Sequence, residues 1–531
     1  MLEALIVGSG FGGAVMAARL GRRWPGAVAL LERGRRYGPG EFAREPGAWS
    51  RNFRTPGNDG LFDVEQHSGL DVVRASGFGG GSLIYANVML EPPPHVLNQS
   101  AWQPVGGPPA LRRYYDVVRS VLNVRPVPQG HGRTELFEKA AAALGRPALA
   151  VDVAVNFAAP GESVQNRYGA SQSGCTYCGE CDIGCNLHAK NTLDLNYLFV
   201  AEHKHGVSML TGHEATDLVP LNARGEIDSR ERGAHGFRVF VLRDGQRHHY
   251  DARRVVLSCG ATGTTAFLLR CRDREGSLPY LSATLGQAMS GNGDFAGVSL
   301  GHEDVTEAVA GPVITRAIDF GLFENGPAPF IMEDAAMPPM LAWYAEGWRL
   351  RAPGPRTLAR IAALLFRRAG PGQFLSGLMA AGATSRMAIH LCMGLDDSNG
   401  VMGLDRRGRP RLRFPAFKNR RLYRAMVRET RNFARVVGAK ARFVPGYAWP
   451  YRRAITVHAL GGCALGKDPV HAVADVTPGR FGALFGYESL YVADGALCPV
   501  AVGANPALTI AALSERVAHE LTAIEPDAGL H

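Results

Sequence analysis

Long apolar runs are missing from this chain. Of its 531 residues 46% are hydrophobic, yet no stretch reaches the length of a bilayer crossing, so no membrane-spanning helix is expected. Internal repeats and low-complexity tracts are missing too, which excludes solenoid and fibrous architectures. Acidic residues are the scarcer charge, 48 against 58 basic, for a net charge of +10. The surplus is mostly Arg, is not interleaved with aromatics and matches no reader motif, so no nucleic-acid partner is expected. One stretch, 347–395, has no acidic residue at all. Within it Leu358–Arg368 reads as a basic amphipathic helix. That helix is either buried with a solvated Arg edge, or a lid or interfacial helix giving peripheral membrane contact. Cysteine is sparse, nine in all, and four of the nine crowd into residues 175–185.

What the chain does have begins almost at its first residue. The apolar run Leu2–Val7 reads as a buried strand, and Gly8-Ser9-Gly10-Phe11-Gly12-Gly13 as a tight turn into a helix over Ala14–Leu20. Gly8 lets the chain reverse, Gly10 lets a pyrophosphate approach, and Gly13 lets the helix pack close to the sheet. The helix N-terminus offers free N–H groups to phosphate. A second apolar run, Val28–Leu31, ends at Glu32, where an acid binds a ribose hydroxyl. The pattern identifies a dinucleotide site and leaves NAD or FAD open. So early a turn leaves no room for a leader segment, and a cytoplasmic protein is expected.

Apolar runs bounded by glycine alternate with helical patterns, the mark of an α/β architecture. Val255–Gly263 is another strand entering a glycine turn. Ser489–Asp494 is a strand ending at an acid, followed by a helix over Pro506–Leu521. The expected layout is a discontinuous Rossmann-like nucleotide-binding domain (1–95, 186–300 and 446–531). Inserted in it is an α+β substrate domain (96–185 and 301–445).

A second glycine cluster, Gly77–Asn87, contains Gly79-Gly80-Gly81-Ser82, whose backbone can lie against a flat or anionic group. Asp494, with Gly495 after it, is placed to accept from the sugar-alcohol chain of a flavin. Asn505-Pro506 opens the last helix toward a flavin ring. These blocks, with Val457–Gly462 and Val502–Pro506, resemble the glucose–methanol–choline flavoprotein oxidoreductases, in their cholesterol-oxidase-like branch. The resemblance spans nearly the whole chain. It implies FAD as cofactor, a substrate domain built on an antiparallel sheet, and hydride transfer from an alcohol to the flavin.

His458, before a Leu-Gly-Gly turn, matches the family histidine that faces the flavin and relays the hydroxyl proton. Asn505 matches the amide that orients the alcohol. Glu333, among apolar residues, resembles the acid that acts as base over a steroid and shifts a ring double bond. Read from the residues alone, it is equally an acid paired with an Arg. An apolar, sterol- or terpenoid-like alcohol is therefore expected as substrate, with oxygen or an electron carrier as acceptor. A dehydrogenase on another alcohol and a non-catalytic electron-transfer flavoprotein are the alternatives. Cys175, Cys178, Cys181 and Cys185 have ferredoxin-like spacing, open to an iron–sulfur cluster, to zinc, or to disulfides and plain structural thiols.

Overall fold

The computed structural model describes residues 1–339, 383–443 and 453–530. The strand Ala4–Val7 lies at the centre of a five-stranded sheet whose order is Ser208–Thr211, Val28–Glu32, Ala4–Val7, Val255–Leu257 and Leu490–Val492. Every neighbouring pair is parallel. All four residues of the central strand are buried, as a strand covered on both faces requires. The helix Phe11–Arg23 packs on the last helix, Ala507–Thr522. Arg19 and Glu515 join them in a buried two-pronged ion pair at 2.8 and 2.9 Å, and Tyr197 donates to the same carboxylate at 2.8 Å. An ion pair this dry holds only because each charge is matched.

The second sheet has six strands, all antiparallel: Ala441–Phe443, Phe295–Leu300, Met387–Gly394, Phe330–Ala335, Arg316–Asp319 and Ala148–Ala150. It matches the antiparallel substrate sheet expected from the sequence. The strand Phe295–Leu300, placed with the nucleotide-binding domain, hydrogen-bonds along Met387–Cys392 in this sheet. The helix Gly107–Val121, placed with the substrate domain, packs on Ala507–Thr522, where Tyr115 and Thr509 share a hydrogen bond of 3.2 Å. The expected helix Leu358–Arg368 lies outside the described residues. Among the described residues no helix is long and apolar enough to cross a membrane.

Candidate active site

Four carboxyl ends of the parallel sheet converge on one place: Gly8 after Val7, Glu32, Ser258 after Leu257, and Ala493-Asp494 after Val492. They form one end of a cavity of about 690 Å³ whose other end reaches the antiparallel sheet at Glu333 and Leu391. Ligands of open parallel sheets bind at such carboxyl ends. The glycines are steric necessities there. A Cβ on Gly12 would stand 1.5 Å from the Ala493 carbonyl oxygen, and one on Gly8, at φ +101°, 2.3 Å from that of Ser258. One on Gly10 meets nothing within 4 Å, so that backbone lies open to the cavity.

Glu32 is buried on the wall, and its carboxylate accepts from Ser9 N (3.1 Å), Ser9 Oγ (2.6 Å) and Gly34 N (2.8 Å). Asp494 accepts from Gly260 N (3.0 Å), Thr264 Oγ1 (2.5 Å) and Ala496 N (2.8 Å). Burial pushes its carboxyl up to about 6 against these hydrogen bonds. Both acids thus brace their own turns as well as lining the cavity. Phe11, Gly80, Gly81, Asn87, Gly495, Asn505 and Pro506 line it too. Three expected contacts do not. Gly13 packs under the turn, where a Cβ would stand 1.8 Å from Gly8 O. Gly79 N is tied to Ser9 Oγ at 3.0 Å. Ser82 Oγ donates to Gly79 O (2.7 Å) and accepts from Leu193 N (3.1 Å), shaping the loop from behind.

His458, Asn505 and Glu333 come together at the far end of the same cavity. Glu333 stands on the strand Phe330–Ala335 with its side chain turned to the cavity. Its neighbour Asp334 faces away and pairs with Arg133 at 2.9 Å. The Arg pairing considered for position 333 is therefore made at 334. Asn505 Nδ2 donates to Glu333 Oε2 across 3.4 Å, a long bond. Desolvation, reinforced by Asp334 and Asp294, raises the Glu333 carboxyl to about 8, although the Asn505 contact opposes it. Among the described residues, Glu333 Oε1, Asn505 Oδ1 and both side-chain polar atoms of Asn87 are buried without a protein partner. Orphaned buried atoms are costly unless a ligand completes them. Together with the open Gly10 backbone and the N-terminus of the last helix, they fit FAD.

The sequence reading missed Asp294, which bonds His458 Nδ1 at 2.9 Å. It lies in a Ser-Gly-Asn-Gly-Asp loop, and its burial among glycines is invisible before folding. It also missed Asp182, on the cavity wall, raised by burial to about 7. Asp182 comes from the cysteine run, whose role here differs from the metal expectation. Among the described residues no group of three or more His, Cys, Asp or Glu is arranged to hold a metal ion. Cys175, Cys178, Cys181 and Cys185 are free thiols around a void of about 20 Å³, the size of one water. Burial raises Cys175 to about 11 and Cys181 to about 12, so neither is a ready thiolate. The iron–sulfur expectation is set aside. The run is held as a loop by buried Lys190, whose Nζ donates to Cys181 O (2.6 Å), Leu83 O (2.9 Å) and Tyr85 O (3.1 Å).

A dinucleotide cradle opening onto an apolar chamber with an imidazole at its edge suits oxidation of a hydroxyl, and the class is that of FAD-dependent oxidoreductases acting on alcohols. Comparison with known proteins agrees. The chain belongs to the GMC oxidoreductase family, whose N-terminal and C-terminal models match residues 2–271 and 397–514. It is 29% identical to a cholesterol oxidase of Acinetobacter baumannii, covering 97% of this chain and 93% of that one. It is 23% identical to a long-chain-alcohol oxidase of Arabidopsis thaliana, covering 96% of this chain and 65% of that one. Among solved structures, pyridoxine 4-oxidase from Mesorbium loti shares the fold at a TM-score of 0.66 and 14% identity, covering 99% and 100% of the two chains.

Proposed function

We propose that this enzyme oxidises the secondary hydroxyl of an apolar, sterol- or terpenoid-like alcohol, with oxygen as acceptor, and that His458, Asn505 and Glu333 do the work at the substrate. One observation carries the reading: Glu333 and Asn505, each with a buried polar atom left without a partner among the described residues, line with His458 a chamber whose walls include Val88, Val313, Ile314, Leu391 and Met393. A polar tip on an apolar body is what such a chamber favours. Ile455 and Val457, 43% and 57% exposed, put apolar side chains at its rim beside His458. The names of the cholesterol and long-chain-alcohol oxidases support the same substrate class.

Bound FAD supplies the acceptor for the hydride that leaves the alcohol carbon. His458 Nε2 takes the hydroxyl proton as that bond breaks. Asn505 holds the substrate oxygen through its amide and so fixes the approach of the carbon. Glu333, raised to about 8, holds its proton at neutral pH. In its ionised form it takes a proton from the carbon next to the new carbonyl, which begins a double-bond shift. That second step therefore strengthens as pH rises toward 8.

Anaerobic mixing of the FAD-loaded enzyme with sterols, terpenoid alcohols and short alcohols tests the reading. Flavin bleaching by the first two groups is expected, with peroxide released under air. His458→Ala is expected to slow bleaching by roughly 10²- to 10⁴-fold with FAD retained. Bleaching by short polar alcohols alone would reassign the substrate; bleaching without peroxide would point to an electron carrier as acceptor. Loss of FAD from His458→Ala would make that histidine a cofactor ligand.

A further inference from the structure

Both loops that carry the reacting groups hang from one short segment, Ser290–Asp294. Asn292 is fully buried, and its Oδ1 accepts from Val502 N (3.1 Å) and Gly503 N (2.8 Å). Its Nδ2 donates to Ala504 O (2.8 Å), one residue before Asn505. Asp294 grips the other loop. Its Oδ2 accepts from Thr456 Oγ1 (2.8 Å) and Val457 N (3.0 Å), and its Oδ1 stands 2.9 Å from His458 Nδ1. Asp396 ties the segment from behind, accepting from Ser290 Oγ (2.7 Å), Gly291 N (2.9 Å) and Gly293 N (3.2 Å). The segment is thus fixed on both sides.

An ionised carboxylate only accepts hydrogen bonds. The donor in the Asp294–His458 contact is therefore Nδ1–H, and in a neutral ring that leaves the lone pair on Nε2. Nε2 bonds to no side chain or backbone group among the described residues, and His458 lines the cavity. Asp294 also lines it, but its two oxygens are occupied by the loop and the ring.

We propose that Asp294 is the positioning residue of the oxidation: it holds His458 in the Nδ1–H tautomer so that Nε2 accepts the substrate's hydroxyl proton. The proposal rests on the reading of His458 as that acceptor. In the step served, the O–H bond breaks and Nε2–H forms. The C–H bond gives up its hydrogen with both electrons to bound FAD, and the carbon–oxygen bond becomes a carbonyl. Asp294 accepts from Nδ1–H throughout and stabilises the imidazolium that results, the division of labour known from hydrolase triads.

The test combines a spectrum with a mutant cycle on the FAD-loaded enzyme. Long-range ¹H–¹⁵N correlations report imidazole tautomers directly, and the His458 signals are those lost in His458→Ala. Wild type is expected to show the Nδ1–H form and Asp294→Ala a shift to Nε2–H. Asp294→Asn, which keeps an acceptor for Nδ1–H, is expected to restore the wild-type tautomer. In rate, Asp294→Ala should slow anaerobic flavin bleaching by roughly 10- to 100-fold at unchanged FAD content. In a His458→Ala background the same change should cost less than about threefold. A wild-type Nε2–H tautomer, a tautomer indifferent to Asp294→Ala, or multiplicative losses in the double variant would each overturn the proposal. Multiplicative losses would make Asp294 a brace for the Ser290–Asp294 segment, acting on Asn505 through Asn292, instead. If His458→Ala itself leaves bleaching intact, the role of His458 fails and Asp294 has nothing to position. An unaffected rate in Asp294→Ala with a slow His458→Ala sinks the present proposal alone.

Discussion

The two ends of the cavity treat their polar groups in opposite ways. At the parallel-sheet end the protein satisfies itself: Glu32 and Asp494 each accept three hydrogen bonds from neighbouring turns. At the antiparallel-sheet end it does not: Glu333, Asn505 and Asn87 each keep at least one buried polar atom unpaired. The first end is finished by folding, so its acids serve as structural braces and cofactor walls at once. The second is finished only by what binds there, and the free energy withheld on folding is available to cofactor and substrate.

Removing a brace at the finished end should have the largest effect. Glu32→Ala strands Ser9 N and Gly34 N, buried donors that lose their acceptor, and leaves Ser9 Oγ only a long contact of 3.3 Å to Gly77 O. A loss of about 2–4 kcal/mol in stability is expected, with FAD released because the glycine turn loses its shape. Thermal melting and the ratio of flavin to protein check both parts. Full FAD occupancy at an unchanged melting temperature would show that the turn does not need its acid, and the contrast between the two ends would fail.

At the unfinished end, replacing an acid should do the reverse. The Glu333 carboxyl is raised from its ordinary value to about 8 by burial. A raised folded-state value means that folding favours the protonated form. Its contribution is fully present below the unfolded value near 4.5 and is lost as pH rises through about 8. Glu333→Gln, which cannot ionise, should therefore match wild type in stability at pH 4.5 and exceed it by about 2–4 kcal/mol at pH 8.5. Melting curves at the two pH values measure the difference. A Gln variant no more stable at pH 8.5 would place a hidden cation or water beside Glu333. The same variant should lose the double-bond shift while keeping alcohol oxidation.

How much of this was legible beforehand follows the same division. The finished end is built from local sequence: strand, glycine turn, helix and a strand ending at Glu32 lie within residues 2–32, and each step has its own spacing rule. The antiparallel sheet was visible only through resemblance, because its strands come from 148 to 443 and no local pattern says that Phe295–Leu300 pairs with Met387–Gly394. His458, Asn505 and Glu333 were each singled out from the sequence, and Asp294 was not. An Asp in a Ser-Gly-Asn-Gly-Asp segment reads as an ordinary turn residue until folding seals it against His458. The cysteine run was ambiguous for a related reason. Its spacing fits a cluster as well as plain structural thiols, and only folding shows that burial raises Cys175 and Cys181 and that Lys190 is spent on carbonyl oxygens.

Asn87 offers the finest test of the contrast, because its side chain does nothing for the protein that holds it. It is fully buried on the cavity wall, and neither Oδ1 nor Nδ2 has a partner among the described residues. Its backbone sits at φ +70°, a region Asn tolerates and Gly prefers, while its carbonyl is used, accepting from Ala154 N at 2.9 Å. Asn87→Gly deletes both orphaned atoms, leaves the backbone bond and suits the left-handed turn. The protein stripped of flavin should melt within about 1 kcal/mol of wild type, since the lost atoms were unpaired and glycine's entropic cost is of that size. FAD should bind more weakly, by about fivefold for one or two neutral hydrogen bonds. Flavin titration of the stripped protein, read by fluorescence quenching, separates the two quantities. A large drop in melting temperature with unchanged flavin affinity would mean that the Asn87 side chain supports the loop from within, and the catalytic end would then be as self-satisfied as the cradle.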